Sequence, residues 1–159
     1  MKHRLLLWTL LGIGLHATLQ AGTFNVTTTD PTGAGSLNAS LEWLNTQPAG
    51  TLHVINLKGL TGTITLDGAL PWIEKDARFD GPGSDALAIS GDNQFPIFRS
   101  NGAKKLEVVG LTLREGVAKG GDGNNGGGGA AGMGGALFLN TGAEATLWDV
   151  DFVQNRAEG

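Results

Sequence analysis

Four aspartates stand where carboxylate chemistry could arise: Asp76 and Asp80 beside one strand signal, and Asp149 and Asp151 within another. A polysaccharide lyase needs converging carboxylates to hold Ca²⁺, together with an Arg or Lys base. A glycoside hydrolase needs two carboxylates about 5 to 10 Å apart across a cleft. A spacing of two puts Asp149 and Asp151 on one face of a strand, the solvent face if Val150 and Phe152 point inward. No third carboxylate and no evident Arg partner accompany them, so solvated wall residues are expected. His53 lies inside an apolar strand signal and reads as packing or surface rather than as a base or metal ligand. Gly120-Gly121-Asp122-Gly123-Asn124-Asn125 partly imitates a Ca²⁺-binding nonapeptide repeat, but Asn125 replaces the Asp and the motif occurs once. The sequence therefore nominates no catalytic, cofactor-binding or metal-ligating residue, and the expectation is a non-enzyme.

The elements that would position any site begin after an export signal. Met1-Lys2-His3-Arg4 places positive charge ahead of an apolar run, Leu5 to Leu15, that is too short to span a bilayer. Ala21 supplies the small residue before a signal-peptidase cut, which gives a signal peptide over 1–21 and a mature start at Gly22. Removing those residues takes away Lys2 and Arg4 and leaves 9 basic against 15 acidic side chains. An acidic chain without clustered Lys and Arg is not expected to bind nucleic acid or an anionic membrane surface. The adjacent pair Lys104-Lys105 reads as a solvated turn. With no Cys, the fold must hold by burial and backbone hydrogen bonding alone. The 27 Gly, absent Tyr and 16% charged residues suggest repeated, stacked backbone rather than one layered core.

Thr23 to Thr27 alternates as a short strand. Ser36 caps an expected helix in which Leu37, Leu41 and Leu44 share a face, and Pro48 and Gly50 end it. Beyond it, short β signals follow one another too closely for helical crossovers. Two stretches repeat. Residues 97–103 align with 137–143 at an offset of 40, and 111–118 align with 150–157 at 39. Repetition on this scale marks a solenoid, and the helix suits a terminal cap over 22–50. Residues 51–159 then form the coils, with a loop expelled over 116–135, where 11 of 20 residues are Gly.

Gly134-Gly135-Ala136-Leu137 and Phe152-Val153-Gln154-Asn155 resemble the paired Gly-Gly-Ala-Ile/Leu and Phe-x-x-Asn signature of bacterial exported β-helix proteins. These are related to the chlamydial polymorphic outer membrane proteins and autotransporter passengers. Gly35 to Asn45 is similar to the capping segment of related proteins, and Leu70-Pro71-Trp72-Ile73 and Asp80-Gly81-Pro82-Gly83 to their next coils. The resemblance spans roughly residues 24–159 and implies an all-β, right-handed single-stranded parallel β-helix, a pectate-lyase-like solenoid with a short N-terminal capping helix. It further implies inward Phe138 and Phe152, and Asn155 in a left-handed corner bonded to the neighbouring coil. The implied function is surface display, adhesin-like, binding a host or cell-surface receptor or polysaccharide through loops such as 116–135. Outer-membrane association would come through a missing C-terminal region, the chain being an N-terminal fragment. The alternative is the first part of a secreted pectate-lyase-like carbohydrate-active enzyme.

Overall fold

The computed structural model describes residues 20–103, 105–121 and 131–159. The expected signal peptide lies outside these residues except for Gln20 and Ala21, and so do Asp122 to Asn125 of the Ca²⁺-like motif and Lys104. Among the described residues no helix is long and apolar enough to cross a membrane.

In chain order the elements are β1 (Thr23–Asn25), α1 (Leu37–Asn45), β2 (His53–Asn56), β3 (Gly62–Thr65), β4 (Ala77–Asp80) and β5 (Leu87–Ser90). They continue with β6 (Phe98–Ser100), β7 (Lys105–Arg114), β8 (Val117–Lys119), β9 (Leu137–Leu139), β10 (Glu144–Val153) and β11 (Arg156–Glu158). Each pairing between these strands is parallel. Among the described residues the fold is therefore all-β, of parallel strands with one short helix.

Four ladders carry the stack. The first runs β1, β2, β4 and the leading halves of β7 and β10. Its inward column is Phe24, Ile55, Phe79, Val108 and Leu147, one residue from each strand. The second runs β3, β5 and the trailing halves of β7 and β10, with Ile64, Ile89, Leu113 and Phe152 in register. β7 and β10 serve both ladders because they turn at Gly110 (φ 61°) and Asp149 (φ 52°). The third pairs β6 with β9 and is extended by a bridge from Ile73 to Ser100. The fourth pairs β8 with β11.

Alternation drives this arrangement. In β7, Leu106, Val108, Leu111 and Leu113 are buried, while Glu107, Thr112 and Arg114 face outward. Stacking like residues on like gives an apolar column that no single layer could bury alone. The layers differ in length: the step is 24 residues from His53 to Ala77 and 39 from Lys105 to Glu144. The walls stay in register while the connections vary.

The helix forms where expected. Ser36 Oγ accepts from the Ala39 N–H at 3.2 Å, and Leu37, Leu41 and Leu44 are fully buried in the core. An aromatic cluster and a hydrogen-bonded histidine tie this end together. Trp43 packs on Phe24 at 5.6 Å and edge-on to His53 at 6.1 Å. His53 is buried with both ring nitrogens held by backbone: Nδ1 accepts from Gly22 N–H at 3.0 Å, and Nε2 donates to Pro48 carbonyl at 2.9 Å. The Nε2–H tautomer follows, because an amide N–H can only donate.

Several expectations are corrected. The register between β6 and β9 is 39, not 40: Phe98 faces Leu137 and Arg99 faces Phe138. Asn140 Nδ2 donates to Asn101 Oδ1 at 2.8 Å in the same register. A one-residue shift exchanges the faces of a strand. Phe98 is thus buried against Phe79, ring centroids 4.5 Å apart, whereas Phe138 shares the outward column of Arg99. The expected loop 116–135 is not all loop, since Val117–Lys119 pairs with Arg156–Glu158 and Gly116 and Gly135 are buried. Phe152 stacks in register on Leu113 yet stays 48% exposed, because among the described residues no strand pairs with the far edge of β10.

The 39 register makes a direct prediction. Phe98→Ala should destabilise the fold by about 3 to 5 kcal/mol, as a fully buried Phe does, whereas Phe138→Ala should cost roughly 1 kcal/mol. Urea unfolding of both variants measures the difference; equal losses would restore the 40 register.

Candidate functional site

The carboxylates nominated by the sequence do not converge. Asp76 Oδ1 accepts from the Lys105 N–H at 3.1 Å, securing the entry to β7. Asp80 sits on the outer face of β4, 2.6 Å from Lys58 Nζ and 3.2 Å from Arg78 Nη2, and Arg78 Nη1 reaches Glu107 Oε2 at 2.9 Å. Burial pushes the Asp80 carboxyl up, but the hydrogen bond from Lys58 and the charge of Arg78 more than reverse this, leaving it below its ordinary value. The Arg78 guanidinium is raised, chiefly by its hydrogen bond to Glu107.

Asp149 is not on a common strand face with Asp151. It occupies the left-handed bend of β10, and its carboxylate accepts from Ser84 N–H at 3.1 Å and Ser84 Oγ at 2.9 Å. That is a structural clasp between layers, 65 residues apart in sequence. Asp151 is exposed in register with Thr112. Among the described residues no group of three or more His, Cys, Asp or Glu side chains is placed to hold a metal ion.

Asn155 bonds the adjacent layer as expected, but the left-handed residue is its neighbour Gln154 (φ 54°). Asn155 Oδ1 accepts from Gly116 N–H and Nδ2 donates to Leu113 carbonyl, both at 2.8 Å. Gly116 must lack a side chain here, because a Cβ would run into the Gly135 carbonyl and Asn155 Oδ1. Gly135 in turn lies between the backbones of Gly116 and Arg156 and accepts from Ile97 N–H at 3.0 Å. Gly134-Gly135 thereby returns the chain from the Gly-rich segment to the wall.

What this return builds is a surface cleft of about 400 Å³. Its lining includes Trp72, Arg99 and Phe138 from the third ladder, Val117 and Lys119 from β8, and Met133 from the chain returning to β9. The first three occupy one outward column of the third ladder, because Ile73 pairs with Ser100 and Arg99 with Phe138. Adjacent strands lie about 4.8 Å apart, so Trp72 and Phe138 flank Arg99. Their rings meet across it, centroids 5.9 Å apart and nearly perpendicular. The guanidinium carbon of Arg99 lies 4.7 Å from the centre of the Trp72 ring. Arg99 Nη2 donates to Leu70 carbonyl at 2.7 Å, while its buried Nε has no hydrogen-bond partner.

Among the described residues no Asp or Glu lines the cleft, although Glu158 stands in register beside Lys119 and is engaged by Arg156. Among the described residues Arg78, Arg114 and Arg156 each lie within 4 Å of a carboxylate, and Arg99 does not. Burial pulls the Arg99 guanidinium below its ordinary value. Lys119 is exposed and likewise without a carboxylate within 4 Å among the described residues. Sequence reasoning missed this site. Applying the 39-residue offset of the later repeat to the earlier one would have placed Phe138 opposite Arg99.

No protein-family model matches the chain, and neither a curated protein nor a solved structure gives a significant match.

The ion-pair cluster on the first ladder yields a pH prediction. A lowered carboxyl pKa contributes stability above the unfolded value, and that contribution fades as pH falls through the folded value. Asp80→Asn should therefore cost about 1 kcal/mol near pH 7. The gap from wild type should close below the ordinary pKa of 3.8. Urea unfolding at both pH values checks it; a gap that stays constant with pH would refute the role given to Asp80.

Proposed function

We propose that this chain is a non-catalytic binding module of an exported bacterial surface protein, adhesin-like, built as a right-handed parallel β-helix and holding its ligand in the Trp72–Arg99–Phe138 cleft. The observation that carries this reading is a contrast within one molecule. Asp76, Asp80 and Asp149 are each engaged in holding layers together, while the cleft gathers the exposed Trp72 and Met133, the half-buried Phe138, and Arg99, which has no carboxylate within 4 Å among the described residues.

The handedness is supported by the parallel pairing throughout, since parallel crossover connections are right-handed in nearly all cases. Export is supported by the charged and apolar opening of the sequence, Lys2 to Leu15. The resemblance to autotransporter passengers and polymorphic outer membrane proteins supplies the surface location. Ala131 and Met133, which follow the Gly-rich run in sequence, are part of the cleft lining. No observation favours the alternative of a carbohydrate-active enzyme.

Expression of the whole chain in a Gram-negative host tests export. The expected product has Gly22 as its N-terminal residue and is recovered from the periplasm or cell surface. Full-length protein retained in the cytoplasm would overturn the reading.

A further inference from the structure

We infer that the Trp72–Arg99–Phe138 cleft binds a carboxylate-bearing glycan, a strand in which uronic acid residues alternate with or adjoin neutral sugars. The inference rests on the binding-module reading above and names its ligand class.

Three features select this chemistry. Trp72 is 37% exposed at the cleft, and with Phe138 and Met133 it offers apolar surface of the kind that takes the C–H face of a sugar ring. Arg99 is already oriented: its ring contact with Trp72 and its bond to Leu70 carbonyl fix the fork, so little further ordering is needed to meet a carboxylate. Lys119 is a second cation of the lining; Glu158, in register beside it, is engaged by Arg156, and among the described residues no Asp or Glu lines the cleft itself. Gln94 adds a neutral polar edge. Its Nε2 is held by Asp92 Oδ2 at 2.7 Å, which leaves its carbonyl oxygen to accept from a sugar hydroxyl.

The rest of the protein argues against other polyanions. With a sequence pI near 5.2 the chain as a whole repels dense negative charge, and two cations do not make the basic groove that tracks a nucleic-acid backbone. A glycan with one carboxylate per one or two sugars meets those two cations and gives the remaining surface to the aromatic side chains. The open shape of the cleft also suits a section of polymer rather than an enclosed small molecule.

The test is calorimetric titration of the purified full chain with three probes: a hexasaccharide of alternating glucuronate and N-acetylglucosamine, the neutral N-acetylglucosamine hexamer, and a thymidine hexanucleotide. The acidic sugar should bind at least tenfold more tightly than the neutral one, and its affinity should fall with added salt. Lys119→Gln, at an exposed side chain whose loss should leave the fold intact, should weaken the acidic sugar severalfold more than the neutral one. Arg99→Gln should abolish the preference, with circular dichroism melting used to check that the variant folds. Equal affinity for the two sugars, tighter binding of the oligonucleotide, or an unaltered affinity in Lys119→Gln would each overturn the inference. Correct cleavage and export with no binding to the acidic sugar would overturn the ligand class alone, whereas cytoplasmic retention would remove the reading on which it rests.

Discussion

Register between parallel strands is the constraint on which everything else in this protein depends. Each layer offers only half a core, and its apolar residues are removed from water when the next layer sets like positions above them. Phe24, Ile55, Phe79, Val108 and Leu147 form one such column, and Ile64, Ile89, Leu113 and Phe152 another. Side-chain amides reinforce the same register: Asn56 donates to Asn25 at 2.8 Å, and Asn140 to Asn101 at the same distance. Such bonds sit on the outside, where they discriminate between registers without spending core volume.

Because register is held by the walls, the connections are free to differ. Gly116, just ahead of β8, and Gly135, just ahead of β9, let backbones approach closer than any Cβ would allow. This freedom places the cleft. Val117 and Lys119 stay in the wall as β8, Met133 arrives with the returning chain, and Trp72, Arg99 and Phe138 join them from the third ladder. The same rule explains why the acidic residues are quiet. Asp76 and Asp149 fasten one layer to another, and Asp80 balances two cations on an outer face.

Local features were the most legible part of the sequence. Ser36 and the Leu37, Leu41 and Leu44 spacing gave the helix, because capping and amphipathic period depend on neighbours within one or two turns. Short alternating segments likewise announced strands. What could not be read was the relation between layers. The similarity of Ile97-Phe98-Arg99 to Leu137-Phe138-Leu139 suggested an offset of 40, since apolar identity scores the same on either face of a strand. The structure prefers 39, which keeps Asn101 beside Asn140 and sends Phe138 outward. The cleft was invisible for that reason: its column of Trp72, Arg99 and Phe138 exists only once the third ladder is aligned. Asp149 was misjudged for a related reason, because its left-handed φ breaks the alternation that had put it on a face with Asp151.

The parallel ladders also give the molecule a distinctive response to force. Strands lie across the direction in which layers accumulate, so tension drawn along that direction acts on ladder hydrogen bonds one layer at a time rather than shearing many together. A layer whose step is 24 residues, such as the one from His53 to Ala77, would release roughly 80 Å of chain on detaching. The 39-residue step from Lys105 to Glu144 would release about 130 Å. A stack of this kind lengthens in unequal increments under load, and its differing connections make it a graded extensible tether rather than a rigid rod.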